Sequence, residues 1–223
     1  MVVERFERVS IPLLAVLVIT FGAIAAINSS PQVSDGDNLS SQEIVSKDPN
    51  LSAFQDLGSP EDGERVRWLA TDEVGPWHID GSAGITSLDA GNRVVLHPTG
   101  GNWRNSVDSA IRQTVELPSG EPLTAVLKAR NPASEWRSTK SRCINSLVTL
   151  AVAKNDVGST PVYNRTIVGD KPRKITMDVS RFAGETVQLA ALADAAGKGC
   201  GRWNAEFTLI SSLYIQTEED TDL

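Results

Sequence analysis

The sequence predicts an all-β fold, an antiparallel sandwich or barrel, between about Glu64 and Ile215. From Glu64 onward the chain breaks into short runs rich in Val, Ile, Leu and Thr, and Gly, Pro, Asn and Asp separate them. No helical period intervenes, and strands at such regular spacing without crossover helices pair with antiparallel neighbours. The region holds about 150 residues, enough for one self-sufficient core.

Ahead of it, Ile11 to Ile27 reads IPLLAVLVITFGAIAAI, 17 residues without a charge. That length is at the lower edge of a bilayer span, typically about 20, and just above a signal-peptide core of about 7 to 15. Two readings stand. As a transmembrane anchor, the run leaves residues 1–10 with Arg5 and Arg8 in the cytoplasm, a bias that Glu4 and Glu7 weaken. As a signal peptide, it is cut near Ala25 or Ala26, after the A-x-A pattern of Ala23 and Ala25. Pro12, Thr20 and Gly22 are tolerated in membrane helices, and the length favours the anchor. Both readings place the rest of the chain outside the cytoplasm, periplasmic or extracellular.

Residues 28–63 are rich in Ser, Asp, Asn, Gln, Pro and Gly and read as a polar tether. Within it, NLSAFQDLG from Asn50 to Gly58 sets Leu51, Phe54 and Leu57 at helical spacing before a terminating glycine, which predicts one short helix, packed on the domain or docking a partner. N-x-S/T triplets fall at Asn28, Asn38, Asn50 and Asn164, acceptors in a host that glycosylates asparagine. The strand runs then follow: ERVRWLA, NRVVLHP, SAIRQTVEL, PLTAVLKAR, INSLVTLAVAK, TPVYNRTIV, RKITMDV, ETVQLAALAD and WNAEFTLISSLYI. In the last, Phe207, Leu209, Leu213 and Ile215 share one face and Thr208 and Ser212 the other. The domain is expected over 64–216, with 217–223 as an acidic tail.

The net charge of −7 opposes a nucleic-acid partner, which needs a basic surface. Cys143 and Cys200, the two cysteines, read as one disulfide in an oxidising compartment. With His78 and His97 they lack the short spacing that presents ligands to zinc, so no metal and no cofactor is expected. DGSAG at 80–84 misses the G-x-S-x-G spacing of a nucleophile elbow and reads as a loop; GKGCG at 197–201 precedes a strand, whereas phosphate loops precede a helix. Nothing here marks an enzyme.

The stretch Ile175 to Ile215 resembles the closing half of the jelly-roll sandwiches of extracytoplasmic carbohydrate-binding modules. Asp178, Ser180, Phe182 and Gly184 stand where those modules lead into a long strand, here Glu185 to Asp194; a Gly-rich loop and Trp203 follow. A weaker match runs through NRVVLHPTGGNW at 92–103 and the strand pair at 109–130. The resemblance implies an antiparallel jelly-roll β-sandwich, here behind an N-terminal transmembrane or signal helix. Cys143 and Cys200 replace the polar positions that group near a ligand or calcium in such modules, which supports a disulfide between adjacent loops and a changed ligand site.

Of five tryptophans, Trp103 beside Arg104 and Trp136 beside Arg137 lie in polar loops, where flat aromatics stack on sugar rings or cap the sandwich rim; Trp68 and Trp203 are expected in the core. Lys140 and Arg142 extend the basic rim, and Lys171, Arg173 and Lys174 form a second cationic segment. The function expected from these features is a non-catalytic, membrane-tethered interaction or scaffold subunit that meets neighbouring membrane or envelope proteins. The alternatives are a carbohydrate-binding module using the loop tryptophans, and a hydrolase with an unrecognised site.

Overall fold

Side chains alternate across a strand, so a strand with one buried face shows its burial residue by residue. In Ser146–Lys154, Val148, Leu150 and Val152 are fully buried, while Leu147, Thr149 and Ala151 between them are half-buried. The structure, a computed structural model, describes residues 43–88, 93–97, 109–132, 145–156, 159–194 and 207–217. It shows an antiparallel sandwich of two sheets. The first has the order β1 (Arg67–Trp68), β4 (Ala83–Thr86), β5 (Arg93–Leu96), β12 (Thr208–Thr217), β7 (Leu123–Arg130) and β10 (Arg173–Asp178). The second has the order β2 (Glu73–Val74), β3 (Trp77–Asp80), β6 (Ser109–Glu116), β11 (Thr186–Asp194), β8 (Ser146–Lys154) and β9 (Val162–Val168). The core lies between them, with Trp77, Ile111, Leu150 and Leu189 from one sheet against Leu96, Leu127, Ile210 and Leu213 from the other. At one end, Thr208 Oγ1 donates to Ser146 Oγ at 3.0 Å across the buried gap.

Each run picked out in the sequence holds a strand, and β2, β3 and β4 are additional. These three are two to four residues long and interrupted by Gly75-Pro76 and Gly81-Ser82, so they lack a sustained run. DGSAG, read as a loop, carries the end of β3 and the start of β4, and it leads the chain from the second sheet to the first.

The pattern in the last strand is also different. The register of β12 against β7 slips between Ile210 and Ser212, which makes Ser211 the extra residue of a bulge. One inserted residue flips the faces. Ile210, Leu213 and Ile215 therefore point into the core, whereas Leu209, four residues before Leu213, belongs to the outer side.

Residues 43–57, inside the expected tether, pack into the sandwich. Ile44 bridges to Gln216, the Val45 N–H donates to Ile215 O at 2.9 Å, and the Leu213 N–H donates to Pro49 O at 3.1 Å. Gln113 of β6, in the opposite sheet, donates to Lys47 O at 3.0 Å. The short helix α1 (Ser52–Gln55) follows, capped by the Asp48 carboxylate, which accepts from the N–H groups of Ser52 at 2.6 Å and Ala53 at 3.1 Å, from the Ser52 hydroxyl, and from Trp77 Nε1 at 3.1 Å. Leu51 and Phe54 are buried in the core, and Leu57, their expected companion, is exposed. Gly75, at φ 57°, is required here, because a Cβ would lie 2.6 Å from the Ala53 Cβ. The run 11–27, Asn28, Asn38 and the tail after 217 lie outside the described residues; no described helix is long and apolar enough to cross a membrane.

Because Phe54 is fully buried, Phe54→Ala is expected to destabilise the domain by about 3–5 kcal/mol, read as a lower urea midpoint at unchanged slope. A chain begun at Glu64 should lose that stability and more, whereas a true tether would be removed at no cost.

Candidate functional site

With Ile111, Val115, Leu189, Ala191, Leu150 and Val152 turned into the core, alternation turns their neighbours outward. The pairing registers then set His78, Arg112, Ala190, Ala151 and Tyr163 in one row across the outer face of the second sheet, over β3, β6, β11, β8 and β9. Thr114, Gln188 and Ala153 form a parallel row beside it. Ala190 and Ala151 floor the middle of the first row and Ala153 adjoins them in the second, and three strand spacings, roughly 14 Å, separate Arg112 from Tyr163. At the far side, Tyr163 and Ile167 on edge strand β9 are 60% and 62% exposed, far above what a core residue shows.

The near side is polar and internally braced. Asp80 Oδ2 accepts from Arg112 Nε at 2.7 Å, and Asp80 Oδ1 lies 3.4 Å from His78 Nε2. Arg112 Nη1 donates to Gln188 Oε1 at 3.4 Å, and Gln188 Nε2 donates to Asn155 Oδ1 at 3.4 Å. Asp80 is half exposed, so this ion pair adds about 0–1 kcal/mol and mainly orients the guanidinium. What results is a shallow strip with planar donors and acceptors along one wall and an exposed phenol ring on the other. It supplies hydrogen bonding and stacking.

A second cluster lies on the first sheet. The Trp68, His97 and Phe207 rings sit with centroids 4.6–6.3 Å apart and planes within 40° of one another. Trp68, expected in the core, is 47% exposed, because it lies on the outer side of edge strand β1 opposite Gly84. A Cβ on Gly84 would come within 3.0 Å of Trp68 Cε3 and 2.4 Å of Val66 Cγ1, so only glycine lets the ring down onto the sheet. Burial pushes the His97 imidazole below its ordinary 6.5, and its Nε2 is buried without a hydrogen-bond partner.

Cys143 and Cys200, and Trp103, Arg104, Trp136, Arg137, Lys140 and Arg142, lie outside the described residues, as does Trp203. His78 and His97 lie on opposite sheets, which keeps them from one metal. Of the cationic segment, Arg173 Nη1 donates to Ile167 O at 3.1 Å and so braces the edge. Asn164, a glycan-acceptor candidate, has its Nδ2 committed to Thr176 O at 3.1 Å, joining edge strands β9 and β10. Asp178, Ser180, Phe182 and Gly184 form a structural corner rather than a ligand site. Asp178 Oδ1 accepts from Ser180 N at 2.9 Å and Ser180 Oγ at 2.6 Å, Ser180 Oγ accepts from Leu123 N at 2.9 Å, Phe182 is buried, and Gly184 takes φ 78°. The Ser180 hydrogen bonds hold the Asp178 carboxyl below its ordinary range.

Tyr163, Arg112 and Gln188 were not singled out in the sequence. A signal was present: TPVYNRTIV alternates, and the run TLAVAK places alanine at every second position, Ala151 and Ala153. Which rows those alanines join is set by register, which no single run encodes.

No protein-family model matches the chain, and no curated protein does. Among solved structures, the chain is a β-sandwich similar to carbohydrate-binding modules at low identity. TmCBM61, solved in complex with beta-1,4-galactotriose, is 13% identical with a TM-score of 0.48, over 79% of this chain and 99% of that one. A CBM4 structure is 14% identical with a TM-score of 0.44, over 72% and 100%. The family 11 carbohydrate-binding module from Clostridium thermocellum, in complex with a beta-1,3-1,4-mixed-linked tetrasaccharide, is 11% identical with a TM-score of 0.40, over 68% and 94%.

Two pH windows follow from the shifts. The unfolded chain binds a proton at His97 before the folded one does, so this contribution to stability is complete above about pH 6.5 and lost as pH falls through the lowered folded value. Asp178 acts in the same direction at lower pH, complete above about 3.8 and lost below it. Urea unfolding between pH 4 and 8 should show the first slope in the native chain and not in His97→Phe; an unchanged slope would exclude His97 as its origin.

Proposed function

We propose that the chain is a non-catalytic carbohydrate-binding protein that lays a glycan across the outer face of the second sheet. The observation that supports this most is the alanine-floored strip between the exposed Tyr163 ring and the braced Arg112–Gln188 wall. A pyranose presents C–H groups on its faces and hydroxyls around its rim. The C–H face suits the negative face of Tyr163, and the rim suits planar guanidinium, amide and carboxylate groups. Small floor residues leave the ring room to lie flat. Because Asp80 already balances Arg112, the wall offers donors without a large net field, which suits a neutral glycan better than a strongly anionic one. The apolar run 11–27 supports an extracytoplasmic, membrane-held position for this face.

Calorimetric titration of the full chain with beta-1,4-galactotriose, with the mixed-linked tetrasaccharide and with a wider set of neutral oligosaccharides tests the reading. Tyr163→Ala should weaken the binding glycan roughly two- to tenfold, the worth of one aromatic stack. Arg112→Ala should weaken it about tenfold or more through lost charge-assisted hydrogen bonds. Indifference of the native chain to every oligosaccharide would sink the reading. In that case co-purification of a membrane or envelope protein, lost on replacing Tyr163 and Ile167, would return the scaffold reading to the front.

A further inference from the structure

We propose a second ring-binding platform on the opposite sheet, formed by Trp68 with His97 and Phe207 behind it, which takes a neutral pyranose ring and makes the domain bivalent for glycan. The inference rests on the carbohydrate reading above and extends it to a surface with no residue in common with the Tyr163 strip.

Trp77, by contrast, is 1% exposed, with its indole N–H committed to Asp48. Trp68 lies over Gly84 on the sheet and remains 47% exposed. The ring is also held. Gly84 removes the Cβ that would lift it, Val66 and the Arg67 carbonyl crowd the same spot, and His97 and Phe207 lie against its flank. A fixed flat ring loses little conformational entropy when a ligand stacks on it, which is how exposed aromatics become anchors.

The geometry narrows the ligand. A quaternary ammonium is favoured by rings that face one another around it, within about 6 Å of each centroid. Here the rings are already in mutual contact at 4.6–6.3 Å, so no ammonium fits between them and only the outer Trp68 face is offered. His97, kept neutral by burial, adds no cation to attract an acidic group. A flat, uncharged, C–H-rich face matches a neutral sugar ring. The platform sits on β1 of the first sheet and Tyr163 on β9 of the second, and the two sheets turn their outer faces in opposite directions. One soluble oligosaccharide cannot cover both platforms, but two polysaccharide chains can be held at once, with avidity in place of high affinity.

The test is the stoichiometry of the full chain with beta-1,4-galactotriose and with the mixed-linked tetrasaccharide, by calorimetry, together with acrylamide quenching of tryptophan fluorescence. The expected result is two sites per chain, falling to one in Trp68→Ala, whereas Tyr163→Ala keeps two and weakens the strip site roughly two- to tenfold, with the ligand protecting Trp68 from quencher. Trp68→Phe should retain both sites at several-fold lower affinity for one of them, which separates loss of the platform from loss of the fold. One site in the native chain, unchanged by Trp68→Ala and weakened by Tyr163→Ala, would overturn the second platform and leave the first reading intact. No site for any oligosaccharide of the wider neutral set would overturn both.

Discussion

Two sheets that each bury one face can close on one another only if the gap between their edges is filled, and residues 43–57 fill it. Phe54 and Leu51 supply the apolar volume, and the backbone from 43 to 49 continues the first sheet alongside β12 where β5 has ended. The Asp48 carboxylate makes this possible. It satisfies the first N–H groups of α1, which would otherwise be left without partners beside the core, and it accepts a hydrogen bond from the Trp77 indole N–H, for which the apolar core has no acceptor. A buried polar group is tolerated when it is paired, and here one carboxylate pairs donors from both the plug and the second sheet.

That plug has a consequence for the faces. Because the interior is sealed by residues outside the strand runs, the strands are free to spend their outward positions on something other than closure. On the second sheet those positions form an alanine floor with a polar wall and an exposed tyrosine; on the first they bring Trp68 down over Gly84. The open edge at β9 and β10 is closed chiefly by side chains, with Asn164 reaching Thr176 O and Arg173 reaching Ile167 O. Such capping discourages edge-to-edge association, so the exposed Tyr163 and Ile167 present side chains rather than a bare strand.

The conspicuous motif from Asp178 to Gly184 shows how a pattern shared among sandwiches can be structural. Its hydrogen bonds all point back to the chain that makes the corner, ending on the N–H of Leu123. Such a corner reports fold, because the turn from β10 into β11 needs it, and leaves function to the surfaces the corner positions.

What the sequence determined by itself was the class of fold and the position of most strands, since alternation, β-branched runs and Gly or Pro punctuation are local signals. It also carried the helix at Ser52–Gln55, from the spacing of Leu51 and Phe54. Tertiary structure alone decided three things. Whether residues 43–57 hang free or plug the core depends on partners such as Trp77 and Leu213, which are distant in sequence. Which face Leu209 takes depends on a one-residue bulge at Ser211, invisible in an apolar run because the slip is defined against another strand. And the candidate site is a row of single residues from five strands, so its members become neighbours only once four registers are set, because a strand specifies its own faces but not the strand beside it.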